Sequence, residues 1–287
     1  MTQPTIRVRV PASTSNLGAG FDCLGLALDL WLEARLVPGD GTADYRGALV
    51  GLSPQQDLTL KALGGTPPAG FRLEVESDIP VSRGLGSSAA ATVAGLALHQ
   101  IARQEPVDRG ELFADARAAE GHPDNAGPAV FGGLVLMAER PTVLALHRSL
   151  GVALAIPEQR VDTEVARSIL PTNLPRDGVI AQASRAAALV LGLTQGDGDL
   201  VRYGMVDLVG EPHRKWLIRG YDDAVGAGVE AGAFGVTVSG SGSAIVAICE
   251  VDRAAGVAEA MASALTGHGN PATARSPSVV PGGFRIG

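Results

Sequence analysis

The stretch Pro80-Val81-Ser82-Arg83-Gly84-Leu85-Gly86-Ser87-Ser88-Ala89-Ala90-Ala91 decides the fold of this chain. Gly84 and Gly86 let the backbone turn sharply and approach a ligand closely, because glycine carries no Cβ. Ser87 and Ser88 stand at the start of an alanine-rich, apolar segment that predicts a buried helix over 87–103. The positive end of such a helix points at the loop and favours an anion there. The stretch therefore predicts a phosphate-binding loop.

Two other interpretations of the same stretch remain open. It is also typical of a tight turn that leads into a capped helix, with no ligand at all. Its glycine spacing fits the G-x-G-x-x-A pattern of a Rossmann dinucleotide site. However, the alternating strand predicted before it, over 71–76, is half polar, whereas Rossmann strands are buried on both faces. The chain as a whole mixes alternating strands with helices, which favours an α+β fold.

Composition excludes several classes of protein. The 287 residues are 46% hydrophobic and carry a net charge of −7, which argues against a nucleic-acid partner. No apolar run approaches the roughly 18 residues of a membrane span, and the N-terminus lacks the features of a signal peptide. Cys23 and Cys249 show neither zinc-site spacing nor a disulfide framework. We expect a reduced, cytoplasmic protein with no membrane partner.

Lysine is rare in this chain, since Lys61 and Lys215 are the only two and neither follows a glycine. A Walker A loop needs Gly-Lys-Ser/Thr, so that kind of phosphate site is absent from the sequence. Nucleotide binding would have to depend on backbone N–H groups, a helix N-terminus, a metal ion or arginine.

The sequence pattern predicts further elements along the chain. Alternation predicts a strand over 5–10 that ends at Pro11, and residues 38–70 read as short strands and loops. An Asp108-x-x-Glu111 capping pattern predicts a helix over 109–120. Other predicted strands are 134–137, 152–156 and the hairpin pair 234–238 and 244–248. Other predicted helices are 163–169, 178–193 (capped by Asp177), 198–209, 215–230 and 253–265.

Three more polar motifs accompany the phosphate-binding loop. They are Ser13-Thr14-Ser15-Asn16-Leu17-Gly18-Ala19-Gly20-Phe21-Asp22, Glu120-Gly121-His122-Pro123-Asp124-Asn125 and Ser239-Gly240-Ser241-Gly242-Ser243. Taken singly, they are also typical of a turn between strands, a helix C-terminus and a flexible hairpin loop. Glu120 is a candidate Mg²⁺ ligand together with a serine of the phosphate-binding loop, because Mg²⁺ takes one or two protein oxygens beside phosphates.

In this order the motifs resemble the signature of the GHMP small-molecule kinases. The pattern Pro80-x-x-x-Gly84-Leu85-Gly86-Ser87-Ser88-Ala89-Ala90 matches the phosphate loop of that family. The segments 11–22, 120–125 and Glu211-Pro212-His213-Arg214 are most similar to members that act on homoserine. The resemblance covers residues 7–249. It implies an N-terminal S5-like mixed α/β domain that binds ATP, over 1–148, and a C-terminal ferredoxin-like α+β domain, over 149–287.

The resemblance also implies a reaction and its partners. The expected reaction is the ATP-dependent phosphorylation of the side-chain hydroxyl of L-homoserine to O-phospho-L-homoserine, a step of threonine biosynthesis. The alternative is a kinase of the same family for another small alcohol, such as a mevalonate or sugar derivative. A non-catalytic binding module is a third hypothesis. The expected partners are the small molecules ATP and L-homoserine with Mg²⁺, and the resemblance leaves a homodimer open.

By the same resemblance, each motif supplies a set of site residues. Asn16 and Asp22 would bind the ammonium group of the substrate, and Arg214 its carboxylate. Arg167 matches a second arginine of the family pattern and would also bind the substrate, although taken alone it is equally typical of a solvated arginine on a helix. The ATP-binding residues would be Pro80, Ser82, Arg83, Gly84, Leu85, Gly86, Ser87, Ser88, Ala89 and Ala90, and the Mg²⁺ ligands Ser88 and Glu120. His122 and Asn125 would orient the hydroxyl or the polar end of the substrate. The catalytic set would be Asn125, Asp124 and Arg214, with the role of Asp124 as a general base left open.

The chain departs from the family pattern at a few positions. Ala19 and Ser243 stand where proline is usual, and Ala126-Gly127 replaces Val-Ala. These are changes of loop shape that remove no chemical group. Asp57 stands where the family often has an asparagine near the adenine.

Overall fold

The computed structural model describes residues 4–287, which form two sheets. The first sheet contains β1 (Ile6–Ser15), β2 (Leu24–Pro38), β3 (Ala43–Gly47), β4 (Phe71–Ser77), β5 (Leu134–Leu136), β6 (Thr142–Leu144) and β11 (Arg285–Ile286). Its main path runs β11-β1-β2-β4-β3, and β5 pairs with both β2 and β6. Only the β3–β4 pair among these strands is parallel.

Helices that follow β3 and β4 build the core on this first sheet. They are α1 (Leu58–Leu63), α2 (Ser87–Ala102), α3 (Arg109–Glu120) and α4 (Ala126–Phe131). Helix α2 packs against β1 and β2 and also contacts the other three helices. Most of the alanines of α2 are buried in these contacts. Their small side chains allow the neighbouring elements to approach α2 closely. The N-terminus of α2 is thereby fixed beside the end of β1.

The second sheet is fully antiparallel, with the order β10-β7-β9-β8. Its strands are β7 (Leu150–Pro157), β8 (Ala233–Val238), β9 (Ile245–Glu250) and β10 (Ala272–Arg275). Its helices are α5 (Thr163–Ser168), α6 (Arg176–Gln195), α7 (Gly198–Gly204), α8 (Glu211–Arg214), α9 (Tyr221–Glu230) and α10 (Ala254–Gly267). Short 3₁₀ turns lie at Pro54–Gln56, Lys215–Leu217 and Val251–Arg253.

The second sheet joins the two halves of the chain because both of its faces are buried. Val152 and Leu154 of β7 belong to the same hydrophobic core as β1, β2 and α2. The alternate residues Ala153 and Ala155 belong to a second core that includes α9 and α10. A strand buried on both faces reads as a continuous apolar run, as β7 does.

Most predicted elements are confirmed, and the α+β class is confirmed. The Rossmann alternative is wrong, since the strand before the phosphate-binding loop sits in a mainly antiparallel sheet. Pro11 does not end β1, which continues to Ser15 after an irregularity between Pro11 and Ala12. The predicted helix 215–230 is broken at Gly220, whose φ of 80° is left-handed. The predicted helix 198–209 ends at Gly204, and Asp177 lies inside α6 rather than capping it.

Several elements lie where the sequence pattern predicted none, among them β2, β6 and β10. The segment read as loops and short strands contains α1, and the residues after Pro123 form α4. The end of the chain returns to the first sheet, where Val8 and Arg9 pair with β11. The predicted division into 1–148 and 149–287 stays a prediction. Within residues 4–287, no helix is both long and apolar enough to cross a membrane.

Gly95 tests the packing of α1 on α2. A Cβ at Gly95 would lie 2.2 Å from the carbonyl oxygen of Thr59, so Gly95→Ala forces the two helices apart. We expect it to lower the free energy of unfolding by about 1–3 kcal/mol, although alanine favours helix. Gly226→Ala is the matched control, because nothing lies within 4 Å of its Cβ in α9. It should stabilise by about 0.5–1 kcal/mol. Urea unfolding measures both, and a stabilised Gly95→Ala variant contradicts the packing.

Candidate active site

The phosphate-binding loop ends at the N-terminus of α2 with its backbone N–H groups free. Gly86 is the N-cap of α2 and has a φ of 69°, and Gly84 has a φ of 70°. Among residues 4–287, no backbone acceptor is found for the N–H groups of Gly84, Leu85, Gly86 and Ser87. Unpaired N–H groups at a helix N-terminus form an anion-binding site.

The loop between β8 and β9 clamps the phosphate-binding loop from the other half of the chain. Ser239 Oγ donates to the carbonyl oxygen of Gly84 at 2.7 Å, and the N–H of Ala244 donates to the carbonyl oxygen of Arg83 at 3.0 Å. A Cβ on Gly84 would lie 2.0 Å from the carbonyl oxygen of Ser239. Glycine is therefore required where these two loops meet.

The end of β1 is the third component of this junction. Asn16 has a φ of 72°, and its side-chain nitrogen donates to the carbonyl oxygen of Gly240 at 3.0 Å. The Asn16 side-chain oxygen accepts from the N–H of Asp22 at 2.9 Å. Asn16 therefore fixes the backbone of Asp22 and ties it to the β8–β9 loop.

Glu120 lies at the C-terminus of α3, beside the start of α2. Its Oε1 accepts from Ser88 Oγ at 2.7 Å and from Thr92 Oγ1 at 2.9 Å. A carboxylate and a hydroxyl in contact are hard oxygen donors, which is the donor set that Mg²⁺ accepts. No group of three or more His, Cys, Asp or Glu side chains with metal-site geometry occurs within residues 4–287. A cation held here would thus take its remaining ligands from phosphate and water.

A hydrogen-bonded network follows Glu120 along the chain. His122 Nδ1 lies 2.9 Å from Asp124 Oδ1, and Asn125 Nδ2 donates to Ser15 Oγ at 3.2 Å. The hydrogen bond to Asp124 raises the pKa of His122 despite partial burial. Burial alone would raise the pKa of Asp124, but the hydrogen bond and positive charge of His122 lower it overall. Ser13 Oγ completes the network by donating to Asn125 Oδ1 at 2.8 Å.

Two arginines and one carboxylate form a charged group near Asn16. Arg167 on α5 contacts both carboxylate oxygens of Asp22, at 2.9 and 3.3 Å. Arg214 on α8 is buried, and it donates to the carbonyl oxygens of Gly240 at 2.9 Å and Ala166 at 3.1 Å. Burial lowers the pKa of Arg214, and the positive charge of Arg167 acts in the same direction.

Most of these groups line one cavity of about 730 Å³. Pro80 and Ala90 alone among the predicted site residues lie outside its lining. The predicted residues that line it are Asn16, Asp22, Ser82, Arg83, Gly84, Leu85, Gly86, Ser87, Ser88, Ala89, Glu120, His122, Asp124, Asn125, Arg167 and Arg214. Ala90 is buried in the core. The individual roles predicted for these residues stay predictions.

The cavity also has lining residues that the sequence did not point to. Leu49, Leu52, Leu58 and Leu96 give it an apolar wall. Three of these four leucines lie in the segment 38–70, where loops and short strands carried no motif. In the sequence these leucines are identified only by their hydrophobicity. The packing of α1 against α2 brings them to the cavity.

The guanidinium of Arg83 donates hydrogen bonds to three backbone carbonyl oxygens of the protein. Arg83 Nε donates to the carbonyl oxygen of Pro157 at 2.7 Å, and Nη1 donates to that of Val81 at 2.7 Å. Nη2 donates to the carbonyl oxygen of Glu158. Arg83 therefore fastens the phosphate-binding loop to the end of β7.

Comparison with known proteins identifies the class. The family model for the GHMP kinases N terminal domain matches residues 56–133, and the GHMP kinases C terminal model matches residues 180–267. The chain belongs to the GHMP kinase family, and the predicted GHMP kinase fold is confirmed.

Individual relatives are more specific. The chain is 36% identical to a homoserine kinase of Trichormus variabilis, over 95% of each protein. It is also 36% identical to a homoserine kinase of Prochlorococcus marinus, over 99% of this chain and 97% of the relative. Its structure matches the crystal structure of homoserine kinase from Cytophaga hutchinsonii with a TM-score of 0.87 and 29% identity, covering 100% of this chain and 98% of the other.

The pKa of His122 tests the network. Replacing Asp124 by asparagine removes the charge that favours the protonated imidazole, so Asp124→Asn should lower the pKa of His122. His122 then loses its proton at a lower pH than in the unmodified protein. NMR titration of the five histidines measures this, with the His122→Gln variant assigning the signal. Unchanged titration of the other four serves as the control, and an unmoved His122 curve contradicts the hydrogen bond.

Proposed function

We propose that this chain phosphorylates the side-chain hydroxyl of L-homoserine with ATP, giving O-phospho-L-homoserine and ADP. One observation carries the proposal: a loop of free N–H groups and a charged group of both signs line the same cavity. An anionic phosphate and a zwitterionic amino acid need these two environments side by side. The names and coverage of the relatives support the same reaction.

The phosphates of ATP would bind to the main chain. The N–H groups between Gly84 and Ser87 and the positive end of α2 favour negative charge without a lysine. Leu49, Leu52, Leu58 and Leu96 offer an apolar wall suited to an aromatic base. Phosphoryl transfer depends mainly on positioning and charge neutralisation, and a rigid, clamped loop supplies the positioning.

Ser88 and Glu120 would hold Mg²⁺, because their oxygens already meet beside the phosphate-binding loop. The ion, when bound, neutralises negative charge on the phosphates of ATP. Thr92 Oγ1 keeps the carboxylate of Glu120 oriented through its hydrogen bond to Oε1. The two protein ligands would therefore be held in position before the nucleotide arrives.

The amino acid would bind through Asp22, Arg167 and Arg214. Among residues 4–287, Arg214 has no carboxylate within 4 Å although it is buried. A buried guanidinium that lines a cavity without a carboxylate partner attracts an anion, and the α-carboxylate of the substrate would satisfy it. Asn16 and Asp22 would receive the ammonium group.

His122 and Asn125 would orient the substrate hydroxyl. Asp124 is buried and its pKa is low, so it is a weak proton acceptor. In this proposal Asp124 fixes His122 and Asn125. The hydroxyl oxygen attacks the γ-phosphorus of ATP, the bond to the β–γ bridging oxygen breaks, and the proton passes to the transferred phosphoryl group. The cytoplasmic location and the homodimer remain predictions.

A panel of alcohols tests the reaction directly. In a coupled ADP-release assay, L-homoserine should be turned over, whereas mevalonate and galactose should not, because they lack the ammonium group that Asp22 requires. Chelation of divalent cations should stop the reaction, and added Mg²⁺ should restore it. Faster turnover of mevalonate or a sugar would replace homoserine as the substrate. No turnover of any alcohol would favour a non-catalytic binding module.

Arg214 tests the assignment of the carboxylate. The variant Arg214→Ala should raise the KM for homoserine by about 10- to 100-fold, the value of a lost charge-assisted contact, while the KM for ATP changes little. Arg103→Ala is a control, because Arg103 is exposed at the end of α2 and pairs with Glu105 outside the cavity. Circular dichroism confirms that each variant is folded. Equal increases in both KM values would contradict the assigned role.

A further inference from the structure

Within the charged group of Asp22, Arg167 and Arg214, Asp22 and Arg167 form an ion pair. Both carboxylate oxygens contact the guanidinium, and both side chains are about one-third exposed. Asp22 lies in the loop after β1, whereas Arg167 lies on α5, so the pair bridges distant parts of the chain. It occupies the region where the proposed function requires an ammonium and a carboxylate to bind.

The two arginines of this group are held in different ways. Arg214 is fixed by the carbonyl oxygens of Gly240 and Ala166 and stays in place without a charged partner. The guanidinium of Arg167 has Asp22 as its only hydrogen-bond partner among residues 4–287. Arg214 is thus a permanent cationic anchor, while Arg167 is free to exchange its partner.

We propose that the Asp22–Arg167 pair is an internal substitute for the zwitterionic substrate, and that binding requires its exchange. The inference rests on the proposed function. The ammonium of the amino acid takes the carboxylate of Asp22, and its carboxylate takes the guanidinium of Arg167 beside Arg214. One internal ion pair is replaced by two ion pairs to the ligand.

The exchange makes both charges of the ligand necessary. A ligand with an ammonium group alone breaks the pair but leaves Arg167 without a partner, and a ligand with a carboxylate alone leaves Asp22 without one. Separating two paired, partly buried charges costs free energy unless each finds a new partner. The pair therefore discriminates against ligands that carry only one charge.

Two half-ligands isolate this cost. 3-Aminopropan-1-ol carries the hydroxyl and the ammonium, and 4-hydroxybutyrate carries the hydroxyl and the carboxylate. Their dissociation constants are measured by NMR titration with the full chain and with Arg167→Gln, Arg214→Gln and Asp22→Asn. Arg214→Gln is the matched control, since it also removes a positive charge near Asp22 but breaks no ion pair with it.

The exchange predicts a gain of binding in specific variants. Arg167→Gln should bind 3-aminopropan-1-ol about threefold or more tightly than the unmodified chain, the value of one partly exposed ion pair, whereas Arg214→Gln should not. Asp22→Asn should likewise gain affinity for 4-hydroxybutyrate, because Arg167 is released. Both effects should disappear in the double variant Asp22→Asn/Arg167→Gln.

Other results overturn the proposal. Equal gains for 3-aminopropan-1-ol in Arg167→Gln and Arg214→Gln would mean that only the local field matters, and no gain in either would mean that the pair does not oppose binding. Turnover of homoserine by the unmodified chain is measured separately. Its absence would refute the proposed function, while the comparison of the two arginine variants would still decide whether the pair is exchanged.

Discussion

The site depends on one contact, in which the carbonyl oxygen of Gly84 accepts the hydroxyl of Ser239. This bond joins the loop before α2 to the loop between β8 and β9, which lie 155 residues apart in the chain. While the carbonyls of Arg83 and Gly84 are engaged by the β8–β9 loop, the N–H groups from Gly84 to Ser87 keep no backbone acceptor, and their residues line the cavity. A backbone anion site is thus built without a basic side chain.

The same clamp places the substrate side of the cavity. The carbonyl oxygen of Gly240, the residue after Ser239, accepts from both Asn16 and Arg214. Through Asn16 it also determines where Asp22 lies. The short segment Ser239–Gly240 therefore touches the phosphate-binding loop, the ammonium side and the carboxylate side at once. A change in its position would alter nucleotide and amino-acid binding together.

Much of the fold and site could be predicted because the deciding signals are local. Glycine spacing, capping residues and alternation identified α2, α3, β1 and β4, and the polar motifs identified most of the cavity lining. The errors have tertiary causes. Pro11 by itself predicts the end of β1, yet pairing of Ser13–Ser15 with β2 continues the strand. No local pattern could show that the Arg83 guanidinium would donate to the carbonyl oxygens of Pro157 and Glu158 at the end of β7. Nor could it show that Asp22 and Arg167 would form an ion pair.

The departure at Asp57 has a local explanation. Asp57 is buried as the N-cap of α1, where Oδ1 accepts from the N–H of Thr59 at 2.8 Å. Its Oδ2 accepts from the N–H of Leu60 at 3.0 Å and from the hydroxyl of Tyr45 at 3.1 Å. An asparagine offers only one oxygen, because its amide nitrogen donates, so it could not accept on both sides. The carboxylate at this position thus serves α1, and through α1 the apolar wall of the cavity.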